Sequence, residues 1–313
     1  MWLNVKFLQM SCLPCHQKYA IHYLRYMRKR IENLKGLATL RKNDQNCDFL
    51  AGNSMDDWTM IPDAFIEIDS GLIHDFGSMS SCPQESSNME IIDGTGRFIL
   101  PAFIDSHTHM VYANDRSDEF NMRMHGSTYK EIADSGGGIL NSSKQITSST
   151  EGQLLDSLLE RIEKSRKTGT AALEIKSGYG LTAHSERKML SVIKKAKSQV
   201  PQKIWSTFLG AHALSLIYNG NHDAYMEEIC NNMIPKFADE GLIDFVDIFC
   251  ETNYFSPKHM DVLCNTANKF NLPLKAHVNQ FSSIGGLQAA IKNQAWSVDH
   301  LEFMTEKDHQ DIN

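Results

Sequence analysis

From Arg97 onward the chain alternates short apolar runs with amphipathic stretches at helical spacing, and this alternation constrains the fold more than any other feature. The apolar runs end near Thr108, Lys176, Ala211, Glu251, Asn279 and Glu302. Between them, Thr150-Glu-Gly-Gln153 has the form of a capping box ahead of Leu154, Leu155, Leu158, Leu159 and Ile162 at helical spacing. Ser185 is expected to open a second helix, with Met189, Val192, Ile193 and Ala196 on one face. Residues 223–240 read as a third, kinked by Pro235 and stopped by Gly241. Ser256-Pro257 reads as an N-cap followed by proline at the first helical position. Strand–helix units in series build a parallel sheet. Six of them point to an α/β fold of the (β/α)8 TIM-barrel type rather than an open sheet.

A complete barrel of this kind takes about 250 residues and eight units. Only 216 residues run from position 98 to the end at 313, and six strands are counted. Thr305-Glu-Lys-Asp308 reads as a helix start close to the last residue. The expectation is an incomplete barrel, with roughly two units lying beyond the end. Its open strand edges and apolar surface would favour aggregation and poor turnover in the 313-residue chain, with activity in a longer form.

Upstream of the barrel the pattern is different. Ala64-Phe-Ile-Glu-Ile-Asp69 alternates apolar and polar residues, Ser70-Gly71 supplies a turn, and Leu72-Ile-His-Asp-Phe-Gly77 reads as the returning strand. Met89-Glu-Ile-Ile-Asp-Gly-Thr-Gly96 adds a further strand and turn. Residues 27–97 are therefore read as a small β-sandwich-like module, residues 98–313 as the barrel, and residues 1–26 as an unmatched extension. In that extension Cys12-Leu-Pro-Cys15-His16 has the form of a haem attachment site, but no export signal accompanies it, and it is read as a chance match. The basic run at 25–30 is expected to be a solvated helix face or an unstructured arm.

The net charge of −7 argues against a nucleic-acid surface. The longest apolar stretch, 98–104, is far below the roughly 20 residues a membrane span needs. Seven cysteines, an odd number without framework spacing, are expected to be reduced thiols in a cytoplasmic protein, mostly in the core.

Asp105-Ser-His107-Thr-His109 follows an apolar strand expected to be buried. Side chains two apart on a strand share a side, so His107 and His109 can face one point. Leu274-Lys-Ala-His277 and Trp296-Ser-Val-Asp-His300 end two further strands. Barrel active sites lie at the carboxyl ends of the strands. Four histidines placed there suit a transition metal, although any one alone is more often an ordinary polar residue. Ser135-Gly136-Gly137-Gly138 has no lysine at phosphate-loop spacing and is read as a loop over the site.

Pro101-Ala-Phe-Ile-Asp-Ser-His-Thr-His109 resembles the metal-binding first strand of the amidohydrolase superfamily, and the upstream β module resembles its small composite domain. Asn114-Asp-Arg-Ser-Asp-Glu-Phe120, Ser135-Gly-Gly-Gly-Ile-Leu140, Glu174-Ile-Lys-Ser-Gly-Tyr-Gly-Leu181, Phe208-Leu-Gly-Ala-His-Ala213 and Asp247-Ile-Phe-Cys-Glu-Thr252 together resemble the imidazolonepropionase family. The resemblance runs from about residue 27 to the end.

It implies hydrolysis of the small molecule 4-imidazolone-5-propanoate to N-formimino-L-glutamate in histidine degradation, with one zinc or iron ion (Zn2+ or Fe3+). It implies that His107, His109 and His277 bind that ion, that His300 is the catalytic histidine, and that Arg116, Tyr179, His212 and Gln280 contact substrate. The family's remaining metal ligand is an aspartate on the last barrel strand, which the chain does not reach. Some members carry Glu where this chain has Gln280; Gln cannot take a proton, so proton transfer would fall to His300 or to that aspartate. Chemically, Arg116 suits a propionate carboxylate. Tyr179 between two glycines suits close approach at a ligand loop, and His212 is expected to donate to a substrate oxygen or nitrogen. No nucleic acid or membrane partner is implied, and a homodimer stays open. The competing readings are an amidohydrolase acting on another cyclic amide or amidine, such as a guanine-like ring, and a non-catalytic fragment that only binds metal.

Overall fold

The structure is a computed structural model and describes residues 28–40, 58–84, 89–115, 117–128, 131 and 137–312. It divides into two compact units, one up to Phe103 and one from Ile104 onward. The haem-like motif lies outside the described residues.

The first unit holds strands β1 (Arg28–Leu40), β2 (Trp58–Asp69), β3 (Leu72–Ser78), β4 (Met89–Asp93) and β5 (Phe98–Ile99), in the order β3-β2-β1-β4 with β5 also on β1. The expected hairpin is β2 and β3, paired antiparallel across Ser70 and Gly71, both at positive φ. Leu34, Leu37, Ala64 and Ile66 form its core. The basic run corrects an expectation. Arg28 to Arg30 start β1, and Arg30 is only 1% exposed. Its guanidinium donates to Glu67, Glu32 and the carbonyl of Pro83, which is what permits a cation to be buried there. Positions 25–27 lie outside the described residues.

The second unit holds β6 (Phe103–Thr108), β7 (Thr170–Lys176), β8 (Lys203–Ala211), β9 (Phe245–Cys250), β10 (Leu274–Val278) and β11 (Ser297–His300), in the order β11-β10-β9-β8-β7-β6. From β7 to β11 each strand pairs parallel with the next. The helices are α1 (Ser117–Met124), α2 (Ile139–Ser148), α3 (Glu151–Lys167), α4 (Ala183–Lys197), α5 (His222–Glu228), α6 (Ile234–Asp239), α7 (Pro257–Asn268), α8 (Gly286–Lys292) and α9 (Glu306–Ile312). The local signals account for most boundaries. Thr150 and Gln153 form the capping box of α3, Ser256 caps α7, and Gly241 at φ +59° follows α6. Thr182, not Ser185, caps α4; Ser185 instead donates its N–H to the Thr182 hydroxyl. At Pro235 the missing N–H is accommodated by a π turn over Ile229–Met233, in which the N–H of Ile234 reaches Ile229.

Strand alternation separates two environments. Leu173, Ile175, Val246, Ile248, Cys250, Ala276 and Val278 point outward and pack with Leu154, Leu158, Ile162, Met189 and Ile193 of the helices. Each fully buried side chain of this kind contributes roughly 1.5–3 kcal/mol. The inward positions carry Glu174, Lys176, Asp247, Lys275, His277 and Asp299. The sheet is strongly curled around them. β6 and β10 are four strands apart, about 19 Å in a flat sheet, yet the rings of His107 and His277 lie 4.6 Å apart.

The strand before His107 is not buried, contrary to expectation. Pro101 separates β5 from β6, and Phe103 and Ile104 are 66% and 60% exposed. β6 is an edge strand, with β7 as its only neighbour in the sheet among the described residues. Cys230, Cys250 and Cys264 are buried free thiols and Cys82 a half-buried one. No described helix is long and apolar enough to cross a membrane.

Candidate metal centre

His107 projects from β6, His109 follows just past its end, and His277 projects from β10. One ring nitrogen from each lies within 4.8 Å of the others. His277 is 2% exposed. Its Nδ1 is 3.1 Å from Asp247, and Nδ1 of His107 is 3.2 Å from Asp299. A carboxylate accepts, so Nδ1 carries the proton in both rings and Nε2 is left to face the centre. Nε2 of His277 and Nδ1 of His109 are buried without a hydrogen-bond partner among the described residues. Orphaned buried nitrogens are costly, about 1–3 kcal/mol each. Three convergent imidazoles with such lone pairs fit a transition-metal ion.

Electrostatics keep His109 and His277 in the neutral form that binds metal. Burial, followed by the neighbouring His212, His277 and His107, pushes His109 well below the usual imidazole range. Burial also lowers His277, against the pull of Asp247. Burial opposes the charge on Asp247, but His277 and Lys176 outweigh it and hold its carboxyl well below the ordinary range. Asp299 is lowered in the same way, burial being outweighed by His107 and Lys176. Asp247, His277 and Asp299 also cluster within 4.8 Å. Their oxygens already serve Lys176, His107 and His277, so this group is an ionic lattice and not a second cation site.

His300 belongs to the cluster, at 5.2 Å from His277 and 5.5 Å from His107 between ring centroids. Asp299 faces inward, so a regular strand would point His300 outward. Positive φ angles of +83° at His300 and +65° at Leu301 break the alternation and turn the ring back. Such strain in non-glycine residues is typical of functional sites. Glu302 lies 3.1 Å from its Nδ1.

His212, 8% exposed at the end of β8, stacks on His109 at 5.2 Å. Its Nδ1 is 3.1 Å from the carbonyl of Gly178. A carbonyl accepts, so the proton sits on Nδ1 and Nε2 is an acceptor. This inverts the donor role expected from sequence. Burial drives the ring down to about 3, aided by His277. Tyr179 lies 5.5 Å from both His109 and His212. Its loop is tied down by Glu186, which is fully buried and accepts the N–H groups of Gly178, Gly180 and Leu181 at 3.0, 2.7 and 2.8 Å. A Cβ on Gly180 would meet the backbone of Glu186 at 2.3 Å, so only glycine fits.

Gln280, three residues past His277, is half-buried, and its side chain makes no hydrogen bond among the described residues. Its loop is anchored by Glu251, which accepts from the N–H groups of Phe281 and Ser282. Arg116, Ser135 and Gly136 lie outside the described residues. Gly137 and Gly138 are described, and the N–H of Gly138 donates to Glu119. Sequence reasoning missed the inner charges Glu174, Lys176, Asp247, Lys275 and Asp299. The signal was present as charged residues two apart within apolar strands, in Glu174-Ile-Lys176 and Lys275-Ala-His277.

No family model matches the chain. It is similar to the imidazolonepropionase of Flavobacterium psychrophilum, 45% identical over 286 residues, covering 91% of this chain and 69% of that protein. The imidazolonepropionase of Acinetobacter baumannii is 44% identical over 269 residues, covering 86% and 67%. The chain thus spans about two thirds of the length of these relatives. Among solved structures, a 5-methylcytosine deaminase from Klebsiella pneumoniae has a TM-score of 0.60 at 14% identity, covering 90% of this chain and 62% of that one. An atrazine chlorohydrolase from Arthrobacter aurescens, complexed with zinc, has a TM-score of 0.54 at 14% identity, covering 84% and 55%. At that identity the structures establish the fold alone, an α/β barrel-type fold. The relatives establish more: this chain belongs to the imidazolonepropionase family.

Proposed function

We propose that the protein hydrolyses the cyclic amide of 4-imidazolone-5-propanoate to N-formimino-L-glutamate, a step of histidine degradation. One observation carries the reading. His107, His109 and His277 converge at the carboxyl ends of the strands, with an orphaned ring nitrogen on His109 and on His277, in a chain 45% identical to an imidazolonepropionase. These three residues would hold a single zinc or iron ion, since imidazole donors accept either. Bound there, such an ion supplies Lewis acidity toward water and toward a carbonyl oxygen.

The chain's own residues supply the rest. His300 has its Nδ1 proton directed to Glu302, which leaves Nε2 to take a proton from the attacking water and pass it to the departing ring nitrogen. The new C–O bond forms at the ring carbonyl carbon as the C–N bond breaks. His212 Nε2 accepts a substrate N–H, and the Tyr179 hydroxyl donates to a polar substrate atom. Arg116 pairs with the propionate tail. Gln280 contacts substrate without exchanging a proton. We read the protein as cytoplasmic from its cysteine use.

Turnover of imidazolone propanoate by the full natural gene product, beside cyclic amides without a carboxylate tail, tests the assignment. Preference for the carboxylate-bearing ring is expected. Equal or faster turnover of uncharged rings would transfer the chain to another substrate.

A further inference from the structure

Lys176 is completely buried inside the curled sheet, on β7. Its ammonium has three protons and three carboxylate acceptors: Glu174 at 2.8 Å, Asp247 at 2.7 Å and Asp299 at 3.4 Å. The Asp247 oxygen not used by Lys176 receives His277 Nδ1 and the N–H of Ile248. Asp299 Oδ2 receives both Lys176 and His107 Nδ1. Glu174 is itself fixed by Lys275 and by the Thr207 hydroxyl at 2.5 Å. One cation therefore joins the acceptors of two imidazoles that arise from strands four apart.

We propose that Lys176 is a positioning residue of the metal centre: by holding Asp247 and Asp299 in place it fixes His277 and His107 as Nδ1–H tautomers and aims both Nε2 atoms at one point. This rests on the assignment of the three histidines as metal ligands and adds to it the element that orients them. A bare salt-bridge role would require only that the charges be balanced. Here the ammonium also sets where two separate carboxylates stand. Without it, three carboxylates would share the interior with Lys275 alone, and either aspartate could rotate toward that lysine and release its histidine. Outer-shell partners of ligating histidines typically change metal affinity by about 10- to 100-fold.

Two measurements test this. First, the metal-free wild-type protein labelled with 15N-histidine is examined by NMR for tautomers. Nδ1–H tautomers at His107 and His277 are expected; Nε2–H tautomers at either would overturn the proposal, whatever the variants do. Second, Co2+ affinity and the visible Co2+ spectrum are compared among wild type, Lys176→Met, Asp299→Asn and the double variant. Lys176→Met is expected to weaken Co2+ binding at least about tenfold and to alter the spectrum. The double variant is expected to lose less than the sum of the two. Unchanged affinity and spectrum in a folded Lys176→Met, or strict additivity, would contradict a positioning role. If wild type itself binds no Co2+, the ligand assignment fails instead, which separates the two outcomes.

Discussion

Nδ1 of His212 donates to the carbonyl of Gly178 at 3.1 Å, so the ring next to His109 presents an acceptor, not a donor, to whatever occupies the site. Burial of the same ring sets a pH dependence. The folded-state value of about 3 lies below the ordinary imidazole value. Between the two, the unfolded chain binds a proton that the folded chain refuses. Stability therefore falls as pH drops from about 6.5 toward 3, by roughly 1.4 kcal/mol per pH unit for this group. His109 and His277, shifted in the same direction, steepen the slope. Thermal unfolding of the metal-free protein against pH checks this, and His212→Gln should flatten the curve. A midpoint rising as pH falls from 6.5 to 4.5 would reverse the assigned sign.

Glu186 is the clasp of the Tyr179 loop. Glu186→Gln turns one acceptor oxygen into an NH2 group that faces backbone N–H donors. A stability loss of about 1–3 kcal/mol follows from the unsatisfied donors. Because the role proposed for Tyr179 on this loop is to contact substrate and not the reacting atoms, KM should rise by about tenfold with kcat nearly kept. Steady-state kinetics on the full gene product separate the two constants. A kcat collapse at constant KM would move Glu186 into the chemistry.

His300 is expected to behave in the opposite manner. Removing its imidazole in His300→Ala should lower kcat by about 10²- to 10⁴-fold with KM little changed. Metal content should stay near wild type, since the ring is held by Glu302 and lies outside the trio of convergent imidazoles proposed to hold the ion. Loss of bound metal in this variant would make His300 a ligand.

Gln280→Ala should raise KM more than it lowers kcat, as fits a side chain that cannot carry a proton. Losing several orders in kcat at unchanged KM would refute the substrate-contact role.

Much of this is legible in the sequence. Six apolar runs, the caps at Thr150 and Ser256, and the His-x-His after a strand all rest on local chemistry that the sequence displays. What escaped is what depends on distant partners. Arg30 looks like a surface cation until Glu67, 37 positions away, is folded over it. His212 looks like a donor until the loop after β7 places a carbonyl on its Nδ1. His300 sits on the wrong face by simple alternation, and only two positive φ angles return it to the cluster. The burial expected of Phe103 and Ile104 requires a neighbouring strand beyond β6, and none is present among the described residues.

The most direct measurement is the metal content and affinity of the purified protein beside His107→Ala and His277→Ala. A single zinc or iron ion per chain is predicted for the wild type, with affinity falling by several orders of magnitude in either variant while the fold, followed by circular dichroism, persists. Wild type that binds neither metal, or variants that bind it as tightly, would contradict the claim that these imidazoles share one cation.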